Sequence, residues 1–286
     1  IIAGGGALHA TQELQTISTR LAAPLFTSVA GKGLLPPDDP LHAGSSLCVE
    51  PGWNLIAEAD VVLAVGTEMA DTDFWRERLP LTAELLRVDI DPRKFNDFYP
   101  CVVALQGDAQ QTLAGLLERL PATDRDANAA IASVAKLRDA VKNSHGPLQS
   151  IHQGILERIA AELPDNAFIS TDMTQLAYTG NYAFASQATR SWLHPTGYGT
   201  LGYGLPAGIG AKFGENGQNQ RAETTIMQWQ DGVLKTVYPQ TAAVAEARLA
   251  SQPCPDPAST ARNRAVLAFE DTQWKSSCNS CSTECC

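Results

Sequence analysis

Ile1-Ile2-Ala3-Gly4-Gly5-Gly6 is a short apolar run entering a glycine turn, and the same grammar recurs along the first part of the chain. From Ile1 to Arg20 it reads as a strand, a turn and a helix. Pro24–Val29, Val61–Val65, Leu85–Ile90 and Cys101–Leu105 are further short apolar runs of strand length. Helical spacing lies between and after them. It is clearest in Ala109–Leu120, where Leu113, Leu116, Leu117 and Leu120 recur at i, i+3, i+4 and i+7. Strands alternating with helices predict an α/β fold over residues 1–122, a Rossmann-like parallel sheet of five or six strands with helices on both faces.

After Pro121 the polar run Ala122-Thr-Asp-Arg-Asp-Ala-Asn128 marks a boundary, and 123–146 reads as a linker. A second, truncated α/β unit follows over 147–212. Pro147 suits the first turn of a helix whose apolar face is Ile151, Ile155, Ile159 and Leu163. Pro164-Asp165-Asn166 stops it, and Ala167–Ser170 reads as the next strand. Thr171-Asp172-Met173-Thr174-Gln175 then leads into a helix to about Phe184. A glycine-rich segment, Gly197-Tyr-Gly-Thr-Leu-Gly-Tyr-Gly204, precedes a short helix at Leu205–Lys212. Beyond it the tail is irregular. Thr224–Gln230 and Val233–Tyr238 flank Asp231-Gly232, a hairpin signal within a separate segment 213–250. The Cys-rich stretch 251–286 has no period and reads as disordered.

The chain has 286 residues and is 44% hydrophobic, enough for a buried core and about two domains. Its formal net charge is −10, and no Lys/Arg run offers a stripe for a phosphate backbone, so nucleic acid is excluded as a partner. No apolar run reaches the roughly 20 residues that a membrane helix requires. No signal peptide is visible, and a cytoplasmic location is expected. Without an initiator Met, and with a strand at its first residue, the chain is expected to be a piece of a longer protein. Cys48 and Cys101 read as ordinary buried thiols. The other five cysteines follow position 250. Cys278-x-x-Cys281-x-x-x-Cys285-Cys286 crowds four thiols together without the separated knuckles of a zinc site, so no metal is assigned there.

Several motifs have a bland reading beside a functional one. Gly4-Gly5-Gly6 lacks the third glycine of a dinucleotide fingerprint, since His9 stands there, and the following acid is missing. A tight turn with close packing fits better than a nicotinamide site. Gly31-Lys32-Gly33 lacks the remaining P-loop residues, which argues against ATP. Val88-Asp89-Ile90-Asp91-Pro92 places two acids at a strand end, either for a metal or ribose or as a solvated Asp-Pro turn. Four glycines in 197–204 permit close approach to a flat ligand, or merely form a loop with residues at positive φ.

Taken together, residues 1–212 resemble thiamine-diphosphate-dependent enzymes of the acetolactate synthase and 2-oxoacid decarboxylase family. Ile2-Ala-Gly-Gly-Gly-Ala7, Gly31-Lys-Gly-Leu-Leu-Pro36, Asp60-Val-Val-Leu-Ala-Val-Gly66 and Val88-Asp-Ile-Asp91 are similar to that family's central domain. Trp192-Leu-His-Pro-Thr-Gly-Tyr-Gly-Thr-Leu-Gly-Tyr-Gly-Leu-Pro-Ala-Gly-Ile-Gly-Ala211 resembles the entry to its diphosphate-binding domain. Thr171–Tyr178 lies nearest the family's 2-ketoarginine decarboxylase branch. The resemblance implies that Gly199, Thr200, Leu201 and Gly202 lie against the aminopyrimidine, with Leu201 enforcing the cofactor's V shape. It also implies that Asp172, Thr174 and Gln175 lie near the diphosphate. The implied chemistry is decarboxylation of a 2-oxoacid with thiazolium as electron sink, in a homo-oligomer, dimer or tetramer.

This sequence also departs from the family. The magnesium motif expected shortly after Ala211 is missing, as is the domain that supplies the activating glutamate. No catalytic residue or metal ligand is therefore assigned in this chain, and activity of the chain alone is not expected. Glu68 stands where flavin-binding relatives carry Arg, which argues against FAD. Residues 213–239, with Thr225-Ile-Met-Gln-Trp-Gln-Asp-Gly-Val-Leu-Lys-Thr-Val-Tyr-Pro239, resemble the C-terminal hairpin of periplasmic branched-chain amino-acid receptors, and suggest a fusion or chimera near 212. Two alternatives stay open: an acetolactate-synthase-like carboligase, and a nucleotide- or solute-binding module without catalysis.

Overall fold

The computed structural model describes residues 1–79, 81–164 and 167–211, together with the backbone of strands at 226–230 and 233–238. Contacts divide the chain into a unit Ile1–Ala211 and a unit Lys212–Cys286. The first contains six parallel strands: β1 (Ile2–Ala3), β2 (Leu25–Thr27), β3 (His42–Gly44), β4 (Val61–Val65), β5 (Glu84–Asp89) and β6 (Val103–Gln106). Their order across the sheet is β3-β2-β1-β4-β5-β6. Five of them coincide with apolar runs. The sixth, β3, is only His-Ala-Gly and carries no alternation; pairing of His42 with Leu25 of β2 makes it a strand.

Successive side chains on a strand point to opposite faces, and here each face meets its own helices. Ala3, Leu25, Val65 and Val88 pack with Leu14 and Ile17 of α1 (Thr11–Leu21) and Leu113 of α4 (Ala109–Leu117). Ile2, Phe26, Val62, Ala64 and Leu85 pack on the opposite face with Ile56 of α2 (Glu50–Ala57) and Phe74 of α3 (Asp71–Phe74). Full burial of each large apolar side chain contributes about 1.5–3 kcal/mol before chain entropy is counted. The cysteine reading divides: Cys48 is buried, whereas Cys101 is only half-buried.

The stretch expected as a linker contains α5 (Asn128–Asn143), which packs on the central sheet. Its Leu137 joins the same core as Ile2 and Phe26, with Val141 alongside. Arg138 donates to the carbonyls of Asp39 (2.7 Å) and His42 (2.8 Å), tying the helix to β3. The signal was present in Val134, Leu137 and Val141 at helical spacing; the polar run before it is only the connection.

The glycine triplet packs closely, as its missing fingerprint residues suggest. Gly4 N donates to Val65 O and Gly6 N to Gly66 O, both at 2.9 Å. A Cβ on Gly4 would lie 2.4 Å from Gly66 O, and Gly66 itself has φ +53°. The turns after β1 and β4 are thus in backbone contact at the point where strand order reverses. Asp89 and Asp91 form the bland turn: Asp89 Oδ1 accepts from Asp91 N, and Asp91 accepts from the backbone and guanidinium of Arg93. That pairing holds the Asp91 carboxyl down at about 2.

The second segment comprises α6 (Pro147–Glu162), β7 (Ile169–Ser170), α7 (Gln175–Ala183), β8 (Trp192–Leu193) and α8 (Gly204–Gly210), with β7 and β8 parallel. Here a sequence expectation is corrected. Ile151, Ile155, Ile159 and Leu163 of α6 are exposed, and His152 and Leu156 face inward. The neighbour selects the buried face. His152 Nδ1 lies 2.8 Å from Thr179 Oγ1, and Leu156 approaches Gly180, which has no side chain and so admits the Trp192 indole.

In the second unit, β9 (Ile226–Gln230) and β10 (Val233–Tyr238) pair antiparallel, with Gln230 opposite Val233, as the hairpin reading requires. The Asp231-Gly232 turn and the Cys-rich stretch lie outside the described residues. No helix among the described residues is long and apolar enough to cross a membrane.

Candidate functional site

The sequence-selected residues converge around Asp172. It follows β7 at the C-terminal end of that strand and precedes α7. Asp172 Oδ1 accepts from Met173 N at 2.9 Å and Gly202 N at 3.1 Å, and Oδ2 accepts from Gly204 N at 3.0 Å. These amides hold its carboxyl below the ordinary range, with the Gly204 bond the largest cause. Asp172 and Gly202 lie 30 positions apart and are brought together. Asp172 thus staples that loop to the turn before α7.

The loop carried by those bonds runs repeatedly through left-handed backbone, which favours glycine. Gly197, Gly199 and Gly202 have φ of +95°, +63° and +86°. A Cβ on Gly199 would lie 2.8 Å from the Met173 side chain, so the loop also approaches the β7–α7 turn closely. Thr200 is exposed, Leu201 is 81% exposed and Tyr198 is 98% exposed. The loop therefore displays Tyr198 and Leu201 at its tip.

Thr174 is the N-cap of α7: its Oγ1 accepts from Ala177 N at 3.2 Å, and its N–H donates to Asp172 O at 2.8 Å. Capping leaves the amides of Gln175 and Leu176 without intrahelical acceptors, as at the start of any helix. Such an N-terminus suits an anion. The Gln175 side chain is exposed beside it.

Two contributors escaped the sequence reading. His194 Nδ1 lies 2.8 Å from Thr171 Oγ1, and its ring meets Tyr178 edge-on. Burial lowers its pKa. It stands in the quoted Trp192–Ala211 stretch, but spacing alone does not pair it with Thr171. Lys32 stands in the Gly31–Pro36 loop quoted for the central domain, with no role of its own assigned there. It is 5% exposed, and its Nζ donates to the carbonyls of Gly180 (3.2 Å), Asn181 (3.0 Å) and Phe184 (2.7 Å). Those oxygens end α7, where the helix dipole is negative. One lysine of the first sheet's loops thus anchors the helix whose opposite end faces the glycine loop. No local sequence signal reports a contact of that span.

Glu68, which argued against flavin, pairs with Lys94. Among the described residues no three His, Cys, Asp or Glu side chains converge as a metal site.

Known proteins are similar to this chain over both segments. Residues 1–116 match the thiamine pyrophosphate enzyme, central domain, and residues 172–249 match the thiamine pyrophosphate enzyme, C-terminal TPP binding domain. The second match runs through 213–239, the stretch with the receptor-like resemblance. A probable 2-ketoarginine decarboxylase of Pseudomonas aeruginosa is 75% identical over 214 residues, which is 75% of this chain and 38% of that protein. The acetolactate synthase isozyme 1 large subunit of Escherichia coli is 29% identical over 213 residues, 73% of this chain and 38% of its own length. A sulfoacetaldehyde acetyltransferase of Roseovarius nubinhibens is 30% identical over 242 residues, 73% of this chain and 39% of its own. The chain spans less than two fifths of the length of each of these relatives. With one match on the sheet and the other on the loop and helix around Asp172, the chain belongs to the thiamine pyrophosphate enzyme family.

Proposed function

We propose that this chain forms the central domain and the start of the cofactor domain of a thiamine-diphosphate-dependent 2-oxoacid decarboxylase acting on 2-ketoarginine. The observation that carries this is the 75% identity to the Pseudomonas protein over 214 residues. The described residues fit part of the cofactor. The α7 N-terminus, capped by Thr174 and flanked by Gln175, would hold diphosphate oxygens. Gly199–Gly202 would lie against the aminopyrimidine, with Leu201 as the apolar prop beneath it. Asp172 fixes the distance between those two supports. Bound there, thiamine diphosphate would supply an electron sink for the carboxylate leaving the substrate.

The described residues do not fit magnesium. Asp172 is occupied by amides, and no acidic trio converges. Magnesium therefore enters this proposal through the family alone, and flavin is left out because Glu68 is acidic. The chain by itself is proposed to bind the cofactor weakly and to release no CO₂. The proposed assembly is a cytoplasmic homo-oligomer. In the same reading the domains are 1–122 and 147–212, with 123–146 between them and its α5 packed on the first domain's sheet. The proposed graft is 213–250, with a disordered 251–286 after it. The contact boundary at Lys212 and the antiparallel β9–β10 pair favour a separate hairpin, while the family match through 249 favours continuity.

A segment exchange tests the reading. Residues 1–211 of this chain replace their counterpart in the Pseudomonas protein, and CO₂ release from 2-ketoarginine is measured beside acetolactate formation from pyruvate. Retained decarboxylation supports the proposal. A switch to carboligation would favour the acetolactate-synthase-like alternative, and loss of both with the fold intact would favour a non-catalytic binding module.

A further inference from the structure

We propose that the cavity between β3, α5 and the C-terminal end of α7 binds a small organic anion, a carboxylate or phosphate carried on an apolar body. The cavity has a volume of about 330 Å³. Its lining includes Lys32, Arg138, Lys142 and His145, and among the described residues no acidic side chain lines it. This is opposite in sign to the chain, whose formal net charge is −10. Positive charge facing that space, from Arg138, Lys142 and a partly protonated Lys32, is mutually repulsive unless something negative enters it.

The cations differ in what they have to offer. All three N–H bonds of Lys32 go to carbonyls at the end of α7, and Arg138 is held by the carbonyls of Asp39 and His42. They supply field rather than direct contacts. Lys142 is exposed at the mouth and has no hydrogen-bond or ion-pair partner among the described residues. Three lining residues also carry a buried atom without a partner: His42 Nε2, His145 Nε2 and Ser186 Oγ. Native interiors rarely leave such atoms unpaired. Asp39, whose carbonyl holds Arg138, turns its carboxylate to Leu41 N and Gln15. Leu137, Val141 and Phe184 complete the lining, and they suit a hydrocarbon or aromatic body rather than a bare ion.

Isothermal titration of the whole chain, without thiamine diphosphate, decides this independently of the cofactor reading. The probes are phenylacetate, phenyl phosphate and the uncharged phenylacetamide. At least one anion should bind with a submillimolar Kd, and the tighter of the two identifies the head group. Lys142→Glu, at an exposed position that does not threaten the fold, should weaken that anion by roughly tenfold. The His145 ring signals should shift on binding to the unaltered chain. Equal affinity for phenylacetamide would overturn the proposal. So would failure of both anions to bind at millimolar concentration, or affinities that Lys142→Glu leaves unchanged.

Discussion

Lys32 Nζ donates to the carbonyl of Phe184 at 2.7 Å, across 152 positions of chain. Burial pulls its pKa from 10.5 down to about 7, while the neighbouring Cys48 thiol, pushed up to about 12, stays neutral. A lysine with a depressed pKa sheds its proton in the folded state before the unfolded one. Folded stability from this group therefore rises with pH between about 7 and 10.5 and is flat below that window. Urea unfolding of the wild type and Lys32→Met should show their difference shifting toward the wild type across that range. A difference that stays constant would mean that Lys32 keeps an ordinary pKa.

Asp172 titrates in the opposite sense. Its carboxyl is lowered from 3.8 by the amides of Gly204, Met173 and Gly202. The stabilisation is present above the unfolded value and is lost as pH falls through the folded one. Asp172→Ala should free the glycine loop, and hydrogen exchange at Gly202 and Gly204 should accelerate while the amides of β4 keep their protection. Unchanged exchange at those two glycines would show that the loop holds itself.

Arg87 is 1% exposed on β5, donating to Asp97 Oδ1 at 2.9 Å and to Thr67 O at 2.8 Å. Removing one partner strands a buried charge, so Asp97→Ala should cost about 3 kcal/mol in denaturant unfolding. Replacing both, as Arg87→Met with Asp97→Ala, should cost distinctly less, because no charge then remains in the core. Additive losses would mean that the pair is not coupled.

Two glycines should respond with opposite sign. Gly4→Ala places a methyl 2.4 Å from Gly66 O and should cost about 3 kcal/mol. Gly154, within α6, has nothing within 4 Å of an added Cβ, so Gly154→Ala should raise stability by about 1 kcal/mol. Thermal melts of the two variants check both signs.

The sequence by itself determined the parallel sheet, because Val61–Val65 and its fellows carry their apolar pattern in consecutive residues. The glycines of 197–204 stand out by composition, since positive-φ turns are local chemistry, whereas Asp172, Thr174 and Gln175 were marked only by the family resemblance. Only the tertiary structure decided which face of α6 is buried. Ile151 and Ile155 make as good an apolar stripe as any, yet α7 and Trp192 lie on the side of His152 and Leu156. It likewise turned residues 128–143 from a presumed connection into a helix packed on the sheet, and His42–Gly44 into a strand through its pairing with β2. Lys32 was invisible as an anchor for the same reason. Short-range pattern encodes what a segment can form, but burial and hydrogen-bond partners across more than a hundred residues exist only once the chain has closed on itself.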